Sequence, residues 1–233
     1  MNRHVQVVGG CGGAGSSMVA IALSILAERL GTSVVLIDLD THRGDLAGGL
    51  GSPGARTIAD LPAVQSSLTA QHLRAASVTH PAGFALIPGA PANASLDRVS
   101  LARAMMGVDD APPMIIDAGS GLSPVASALR DDCRTVLVSP TDSAGCRISR
   151  RTAAALGLTS DGARLVINRG ARPEALRPGL IARAHGLEIA ALLPHAPSEA
   201  CGIVDGIPRN GRRARILRTL DGLARDIFGS VDG

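Results

Sequence analysis

A glycine-rich loop near the amino terminus constrains the fold of this chain more than any other stretch. It lies between the apolar run Val5–Val8 and a helix that continues through Met18 to Leu30. A glycine loop between a strand and a helix turns backbone N–H groups toward the positive helix end, where they form a nest for a phosphate group. Glycine lets the backbone turn tightly and approach that group closely. The loop therefore predicts a phosphate-binding site.

This loop departs from the general pattern G-x-x-x-x-G-K-[ST] at the lysine position. Gly10, Gly15 and the hydroxyl of Ser17 occupy their expected places, but Ser16 stands where the pattern has lysine. The chain contains no lysine at all, and its 23 basic residues are arginines. A general drift from lysine to arginine would still leave a cation at position 16. The loop therefore keeps its N–H nest and loses its side-chain charge.

The stretch Cys11–Ser17 resembles the deviant loop K-G-G-x-G-K-[ST] of the MinD/ParA family of P-loop ATPases, with both lysines replaced. Within that superfamily the chain is most similar to the CpaE/TadZ branch, which is associated with tight-adherence pilus and secretion-system assembly. The resemblance implies ATP or ADP and Mg²⁺ as cofactors, with Ser17 as a magnesium ligand. It implies that the nucleotide contacts Gly10, Cys11, Gly12, Gly13, Ala14, Gly15, Ser16 and Ser17.

Carboxylates follow two apolar runs that read as buried parallel strands. Asp38 and Asp40 follow the run Val34–Ile37, and Asp117 follows Met114–Ile116. Open α/β sheets hold their ligands at such strand ends. The family resemblance implies that Asp38 and Asp117 lie near the magnesium shell, partly through water, and that Asp40 orients the attacking water. The alternative is that Asp40 and Asp117 cap the helices that follow them.

Two later segments resemble the parts of the family that surround the base. The strand Arg164–Asn168 ends in Asn168 and Arg169, and the resemblance implies that these two residues bind the nucleotide, with the asparagine at the adenine edge. An amide offers the donor and the acceptor that this edge requires, although asparagine is also a common turn residue. The resemblance also places the loop Pro194–Pro197 beside the base.

Strands alternate with helices along the whole chain, without an internal repeat or a low-complexity linker. This order predicts an α/β fold with a doubly wound, mainly parallel sheet flanked by helices, as in P-loop NTPases. With 233 residues and 45% apolar composition, we expect one domain over 1–233. The helix at 212–228 is amphipathic and basic, so it packs on the core or binds a membrane. We expect core packing, because the chain end follows at once and the helix has no tryptophan or tyrosine as a bulky aromatic anchor.

Composition excludes several classes of protein. The net charge of +3 is well short of that of a dedicated nucleic-acid binder, so we do not expect specific nucleic-acid binding. The four cysteines form no C-x-x-C pair, which argues against a zinc site or a disulfide framework. No apolar run reaches 18 residues and no segment resembles a signal peptide. We expect a cytoplasmic protein that reaches the inner face of the membrane or the cell pole only through partners.

An arginine cluster lies on the predicted helix Ser143–Leu156, where Arg147, Arg150 and Arg151 are close together. Such a cluster is usually a solvated face, and the alternative is a surface for a partner or for a nucleotide across a dimer interface.

Three functional hypotheses follow from the missing lysines. The first is a homodimer that binds ATP, hydrolyses it weakly or not at all, and serves pilus or secretion assembly proteins. The second is an active ATPase of cell division or DNA partition, in which Arg43 or Arg147 supplies the missing charge. The third is a nucleotide-free structural module.

Overall fold

The fold is given by a computed structural model that describes residues 4–40, 46, 56–90, 94–168, 175–205 and 214–229. The strands are β1 Val5–Gly9, β2 Val35–Asp38, β3 Val78–Thr79, β4 Ala85–Ile87, β5 Met114–Ser120, β6 Arg134–Pro140, β7 Ala163–Asn168 and β8 Ile189–Leu193. The α-helices are α1 Ser16–Arg29, α2 Ala70–Ala76, α3 Arg98–Met106, α4 Pro124–Ala128, α5 Ser143–Ala155, α6 Pro178–His185, α7 Pro197–Val204 and α8 Arg215–Phe228.

All eight strands belong to one sheet in the order β3-β4-β2-β5-β1-β6-β7-β8. Every pairing is parallel except that of β3 with β4, which is antiparallel. Helices cover both faces of the sheet. The buried apolar residues therefore form two clusters, one on each side of the sheet. The predicted doubly wound, mainly parallel sheet is therefore confirmed.

The buried middle of the central strands is mainly aliphatic, as in Leu36–Ile37 of β2, Ile115–Ile116 of β5 and Val136–Val138 of β6, which burial on both faces requires. Helix α1 is buried from Met18 to Ala27 and contacts both α7 and α8. In α8 the residues Leu217 and Leu220 are fully buried in the same cluster. The expected core packing of this last helix is confirmed. None of the described helices has the length and apolar character that a membrane crossing needs.

Side-chain caps set where two of the helices begin. Helix α3 begins at Arg98, because the side chain of Asp97 accepts a hydrogen bond from the N–H of Ser100 and caps the helix there. Helix α4, which follows Asp117, begins at Pro124 after the cap Ser123. Neither α2 nor the two-residue strand β3 was predicted from the sequence. The stretch in which a helix after Asp40 was expected lies outside the described residues.

The register of the central strands decides where the site lies. Asp38 of β2 pairs with Asp117 of β5, and Gly9 at the end of β1 pairs with Ser120 of the same β5 strand. The glycine loop and the acidic strand ends therefore meet at one edge of the sheet, as expected for the carboxyl ends of neighbouring parallel strands.

Candidate functional site

The glycine loop enters α1 through a left-handed backbone. Gly15 is the residue before the helix and has φ 96°, and Gly13 has φ 76°, a region that favours glycine. No side chain caps this helix end. Among the described residues, no acceptor is found for the backbone N–H groups of Gly12, Gly13, Gly15, Ser16 and Ser17. Several donors are thus left for a ligand at the positive end of a 14-residue helix.

Strand β6 and helix α5 both form hydrogen bonds with Gly10 at the start of the loop. The Gly10 N–H donates to the carbonyl of Val138 at 2.8 Å, and the Thr152 hydroxyl donates to the Gly10 carbonyl at 2.9 Å. A Cβ on Gly10 would lie 2.0 Å from the hydroxyl oxygen of Ser149, so only glycine fits here. Ser149 lies 2.9 Å from Nε2 of the buried His185. Since His185 Nδ1 lies 2.8 Å from the Ile181 carbonyl oxygen, which can only accept, the neutral ring carries its proton on Nδ1 and Ser149 donates to Nε2.

Asn168 holds the end of the loop. Its side-chain Nδ2 donates to the carbonyl of Ala14 at 2.9 Å. A Cβ on Gly15 would lie 2.7 Å from the same nitrogen, so Gly15 is required both by its backbone angle and by this contact. The residue expected at the adenine edge therefore uses one amide N–H to position the phosphate loop. Arg169, its expected partner, lies outside the described residues.

Two of the three predicted carboxylates are buried side by side on β2 and β5. Asp38 is fully buried and Asp117 is 1% exposed. Asp38 accepts hydrogen bonds from the N–H groups of Asp40 at 3.1 Å and Leu46 at 3.0 Å. Asp117 accepts from the Gly119 N–H at 3.2 Å and from the hydroxyl of Ser17. The predicted magnesium ligands Ser17, Asp38 and Asp117 are thus in one cluster.

The ionisation of Asp117 reflects this crowded position. Burial raises the pKa of Asp117 to about 7, while the hydrogen bond from Ser17 lowers it. The negative charges of Asp38 and Asp40 raise that pKa further, and the Gly119 N–H lowers it. A divalent cation bound here would remove the repulsion among the carboxylates and favour the ionised form. The donors are hard oxygen ligands of the kind that Mg²⁺ prefers, so the residues fit the ion that the fold family implies.

Asp40 lies where β5 ends. A Cβ on Gly119 would lie 2.7 Å from an Asp40 carboxylate oxygen, and Gly119 has φ 75°. The carboxylate lines a cavity of about 450 Å³ that runs along the glycine loop. Of the three predicted carboxylates, Asp40 is the one that lines this cavity.

The lysine position is occupied by a nearly buried serine. Ser16 is 9% exposed and lines the same cavity. A Cβ added to Gly9 would lie 3.1 Å from the hydroxyl oxygen of Ser16 and 3.1 Å from the Cβ of Ser120. None of the described residues that line this cavity is an arginine, and Arg147 is exposed on α5. Arg43, the other candidate for the missing charge, lies outside the described residues.

A second cavity of about 340 Å³ adjoins the loop on the side of α8. It is bordered by Asn168 at the end of β7 and by the predicted base loop from Pro194 to Pro197. Asp142 also borders it and caps α5 by accepting from the Gly145 N–H at 2.8 Å. The residues predicted at the adenine edge and beside the base therefore line one cavity.

Several residues that shape the site had not been predicted. Ser149 and Thr152 support Gly10, Ser120 adjoins Ser16, and Gly119 makes room for Asp40. Nothing in the local pattern of α5 marks Ser149 or Thr152, because their partner lies more than 130 residues earlier. The Gly119–Ser120 pair could have been found, since it directly follows Asp117. Cys11 is half-buried, and burial, with the charge of Asp142, raises the pKa of its thiol.

The sheet order, the glycine loop and the acidic strand ends together define a P-loop NTPase fold. No family model matches the sequence. Two uncharacterized proteins of Mycobacterium tuberculosis, from strains CDC 1551 and H37Rv, are each 29% identical to the chain over 230 residues. The alignments cover 97% of this chain but 63% of each relative, so the chain spans less than two thirds of their length.

Solved structures give the fold more specifically. The septum site-determining protein MinD of Pyrococcus horikoshii, in complex with Mg-ADP, has a TM-score of 0.75 at 19% identity and covers 97% of this chain and 96% of its own. A ParA family ATPase of Chlorobium tepidum has a TM-score of 0.77 at 16% identity, with 95% and 97% covered. A chain of the MinC:MinD cell division protein complex of Aquifex aeolicus has a TM-score of 0.76 at 18% identity, with 99% and 97% covered. The chain therefore has the fold of the MinD/ParA P-loop ATPases.

Proposed function

We propose that residues 1–233 form one nucleotide-binding domain that binds ATP or ADP with Mg²⁺ and hydrolyses ATP slowly or not at all. One observation carries this proposal: a row of backbone N–H groups, with no acceptor among the described residues, faces a cavity lined by Ser17 and Asp40, and the lysine position is a neutral serine. The buried Asp117 accepts a hydrogen bond from Ser17 beside this cavity. The cofactors are supported by the Mg-ADP complex of the Pyrococcus protein that shares this fold.

Each group of the site then has a defined task. The N–H groups of Gly12, Gly13 and Gly15 donate to phosphate oxygens. Ser17 and Asp117 would hold Mg²⁺ together with Asp38, the two carboxylates partly through water. When bound, Mg²⁺ supplies the positive charge that the developing phosphate charge requires. Asp40 would accept a hydrogen bond from the attacking water and orient it.

The missing lysine predicts slow hydrolysis and surviving affinity. A charge-assisted hydrogen bond contributes about 1.5 to 3 kcal/mol, so its loss weakens binding without abolishing it. Removing one preorganised donor from a developing charge lowers turnover by roughly 10² to 10³ fold. The second lost lysine, at Cys11, would have reached across a nucleotide-sandwich dimer in the intact family. Nucleotide should therefore act mainly as a conformational ligand.

The cellular role that fits such a protein is a nucleotide-dependent localisation or assembly factor. The resemblance to the CpaE/TadZ branch supports a Flp/Tad-type pilus or secretion system, with recruitment of a cytoplasmic homodimer to the membrane or cell pole by assembly proteins. The MinC:MinD complex shows that a protein of this fold assembles with a partner. Sedimentation of the full chain with and without ATP and Mg²⁺ tests this role. A monomer under all conditions, with unchanged partner binding, would contradict it.

One alternative is favoured by a specific observation. Asp38, Asp40 and Asp117 are all retained in an arrangement suited to catalysis, which an active ATPase of cell division or DNA partition would need. Single-turnover hydrolysis separates the two functions. We expect a rate far below that of family members with both lysines, and a vigorous activity that disappears in Asp40→Ala would favour the alternative.

The glycine loop itself is tested by Gly12→Ala. A Cβ on Gly12 would meet no atom within 4 Å and would extend into the open loop, so the free protein should fold as before. The added methyl group should keep the phosphates away from the N–H groups and weaken ATP binding in Mg²⁺ by about tenfold to hundredfold. Gly179→Ala on α6, where a Cβ also meets no atom within 4 Å, is the matched control. Equal ATP affinity in both variants would place the nucleotide elsewhere.

A further inference from the structure

Two hydroxyl residues of helix α5 lie against the first glycine of the phosphate loop. Ser149 and Thr152 are three residues apart, so they lie on the same face of the helix. Thr152 is 2% exposed, and its hydroxyl donates to the Gly10 carbonyl at 2.9 Å. Ser149 is fully buried, and its Cα lies 2.8 Å from the place of a Gly10 Cβ. The loop therefore begins against a buried polar surface of α5.

The Gly10 carbonyl sets the direction in which the chain enters the loop. A trans peptide points its N–H opposite to its C=O, so the hydrogen bond from Thr152 turns the N–H of Cys11 away from α5. The Gly10 N–H is bonded to strand β6 at 2.8 Å, so both polar backbone groups of this glycine are held. Farther along, Gly12 and Gly13 are exposed, and a Cβ added to either would meet no atom within 4 Å. The exposed middle of the loop therefore depends on its ends for its shape.

A buried histidine of α6 fixes the direction of the Ser149 hydroxyl. His185 is 7% exposed, and its Nε2 lies 2.9 Å from that hydroxyl oxygen. Burial lowers the pKa of the His185 ring, the hydrogen bond to the Ile181 carbonyl raises it and the charge of Arg150 lowers it, with a net decrease. The ring is therefore neutral at pH 7, and Nε2 accepts the Ser149 proton. This hydrogen bond joins α6 to α5 directly behind the loop.

We propose that Thr152, with Ser149 and His185 behind it, is a positioning residue that holds Gly10 and so keeps the loop N–H groups directed at the phosphates. None of these three residues lines either cavity at the loop, so they act through Gly10 and not on the nucleotide itself. The proposal rests on the nucleotide-binding function proposed above.

Loss of this support weakens binding through the free protein. A buried carbonyl without a donor is unfavourable, so the free loop would turn the Gly10 peptide toward water. The nucleotide then has to restore the competent arrangement, and its apparent dissociation constant rises by the inverse of the fraction of competent molecules. For one hydrogen bond of ordinary strength this factor is about threefold to tenfold.

The test is the affinity of the full chain for ATP with Mg²⁺, measured by calorimetry beside urea unfolding of each variant. Thr152→Val keeps the volume, removes the hydroxyl and should bind ATP about threefold to tenfold more weakly. Ser149→Ala should change the affinity in the same direction, because it removes the hydroxyl between the ring and the loop. Thr219→Val is the matched control: its hydroxyl donates to the Arg215 carbonyl within α8 at 2.9 Å, away from the loop, so the affinity should stay that of the parent chain.

The conservative variant Thr152→Ser separates positioning from packing. It keeps the hydroxyl but loses a buried methyl group, so it should unfold at a lower urea concentration than the parent chain. Its ATP affinity should nevertheless equal that of the parent. A residue that only stabilised the fold would not separate affinity from stability in this way.

A second measurement needs no substitution. In the ¹⁵N-labelled parent chain, the ring nitrogens of His185 should show the neutral Nδ1–H form. Addition of ATP with Mg²⁺ should shift the Nε2 signal, because the nucleotide fixes Gly10 and with it the Ser149 hydroxyl. His72 on α2, a helix that packs on β4, is the control and should not shift. This measurement and Ser149→Ala decide the matter if Thr152→Val does not fold.

Three results would overturn the positioning role and leave the nucleotide site standing. The first is parent-like ATP affinity in both Thr152→Val and Ser149→Ala. The second is a loss of affinity in Thr152→Ser as large as that in Thr152→Val, which would assign the effect to packing. The third is ATP binding to the parent chain without a shift at His185. Absence of ATP binding by the parent chain would instead overturn the nucleotide-binding function, and the positioning role with it.

Discussion

Replacing Asp117 with asparagine should stabilise the nucleotide-free protein at neutral and alkaline pH. The wild-type carboxyl group has a pKa of about 7 in the folded chain against 3.8 ordinarily, chiefly because it is buried. A raised pKa favours folding fully below pH 3.8, and this contribution is lost as the pH rises through 7. At about 1.36 kcal/mol per pKa unit, Asp117 removes roughly 3 kcal/mol of unfolding free energy between pH 5 and pH 8. Asparagine does not titrate and keeps an oxygen that accepts from the Gly119 N–H.

The assay is urea unfolding of both proteins at pH 5 and pH 8 in the presence of EDTA. We expect the free energy of unfolding of Asp117→Asn to exceed that of the parent by about 3 kcal/mol more at pH 8 than at pH 5. The buried His80 and His185, whose pKa values are lowered by burial, contribute equally to both proteins and cancel. Asp109→Asn, an exposed acid, is the control. Asp117→Asn should also lose Mg²⁺-dependent ATP binding. If the difference in unfolding free energy between Asp117→Asn and the parent is the same at pH 8 and pH 5, the burial of Asp117 beside Asp38 and Asp40 would be contradicted.

Two further predictions concern the last helix and the missing lysines. Leu220→Ala should lower the unfolding free energy by about 2 to 5 kcal/mol in a denaturant titration because Leu220 is fully buried, whereas Leu180→Ala, at a side chain 55% exposed, should change it by less than about 0.5 kcal/mol. Equal effects would contradict core packing of α8. The double variant Cys11→Lys with Ser16→Lys should raise single-turnover hydrolysis by about 10² to 10³ fold, and adding Asp40→Ala should remove the gain. An unchanged rate in the double variant would show that the missing cations do not limit hydrolysis.

The parts of the fold that the sequence could predict are those with a local pattern. Strand β7 and helix α5 lie within one residue of their predicted bounds, 164–168 and 143–156, since each is a run of one periodicity between turn residues. Strand β3 was not predictable in this way. It has two residues, neither of them buried, and it exists because it pairs with β4 across the turn at 80–83.

The site residues also divide into those that the local sequence reveals and those that depend on how distant elements pack. The glycine loop and the acidic strand ends carry chemistry that residue type and order reveal. The residues that support the loop are not revealed by residue type and order. Thr152 forms a hydrogen bond with Gly10, 142 residues away in the chain, and Asn168 forms one with Ala14, 154 residues away. These hydrogen bonds depend on how α5 and β7 pack beside β1. The burial of Ser16, which a solvated loop position would not suggest, is likewise a product of packing.

The affinity of the full chain for ATP, measured with Mg²⁺ and again with EDTA, tests the central claim most directly. The carboxylates Asp38, Asp40 and Asp117 repel a nucleotide unless a cation lies between them, and the loop has no side-chain charge of its own. We therefore predict binding of ATP in Mg²⁺ that weakens by at least about tenfold in EDTA, and by a comparable factor in Gly12→Ala with Mg²⁺ present. ATP binding that is equally tight with and without Mg²⁺, or no binding in either condition, would contradict a magnesium-dependent phosphate site at this loop.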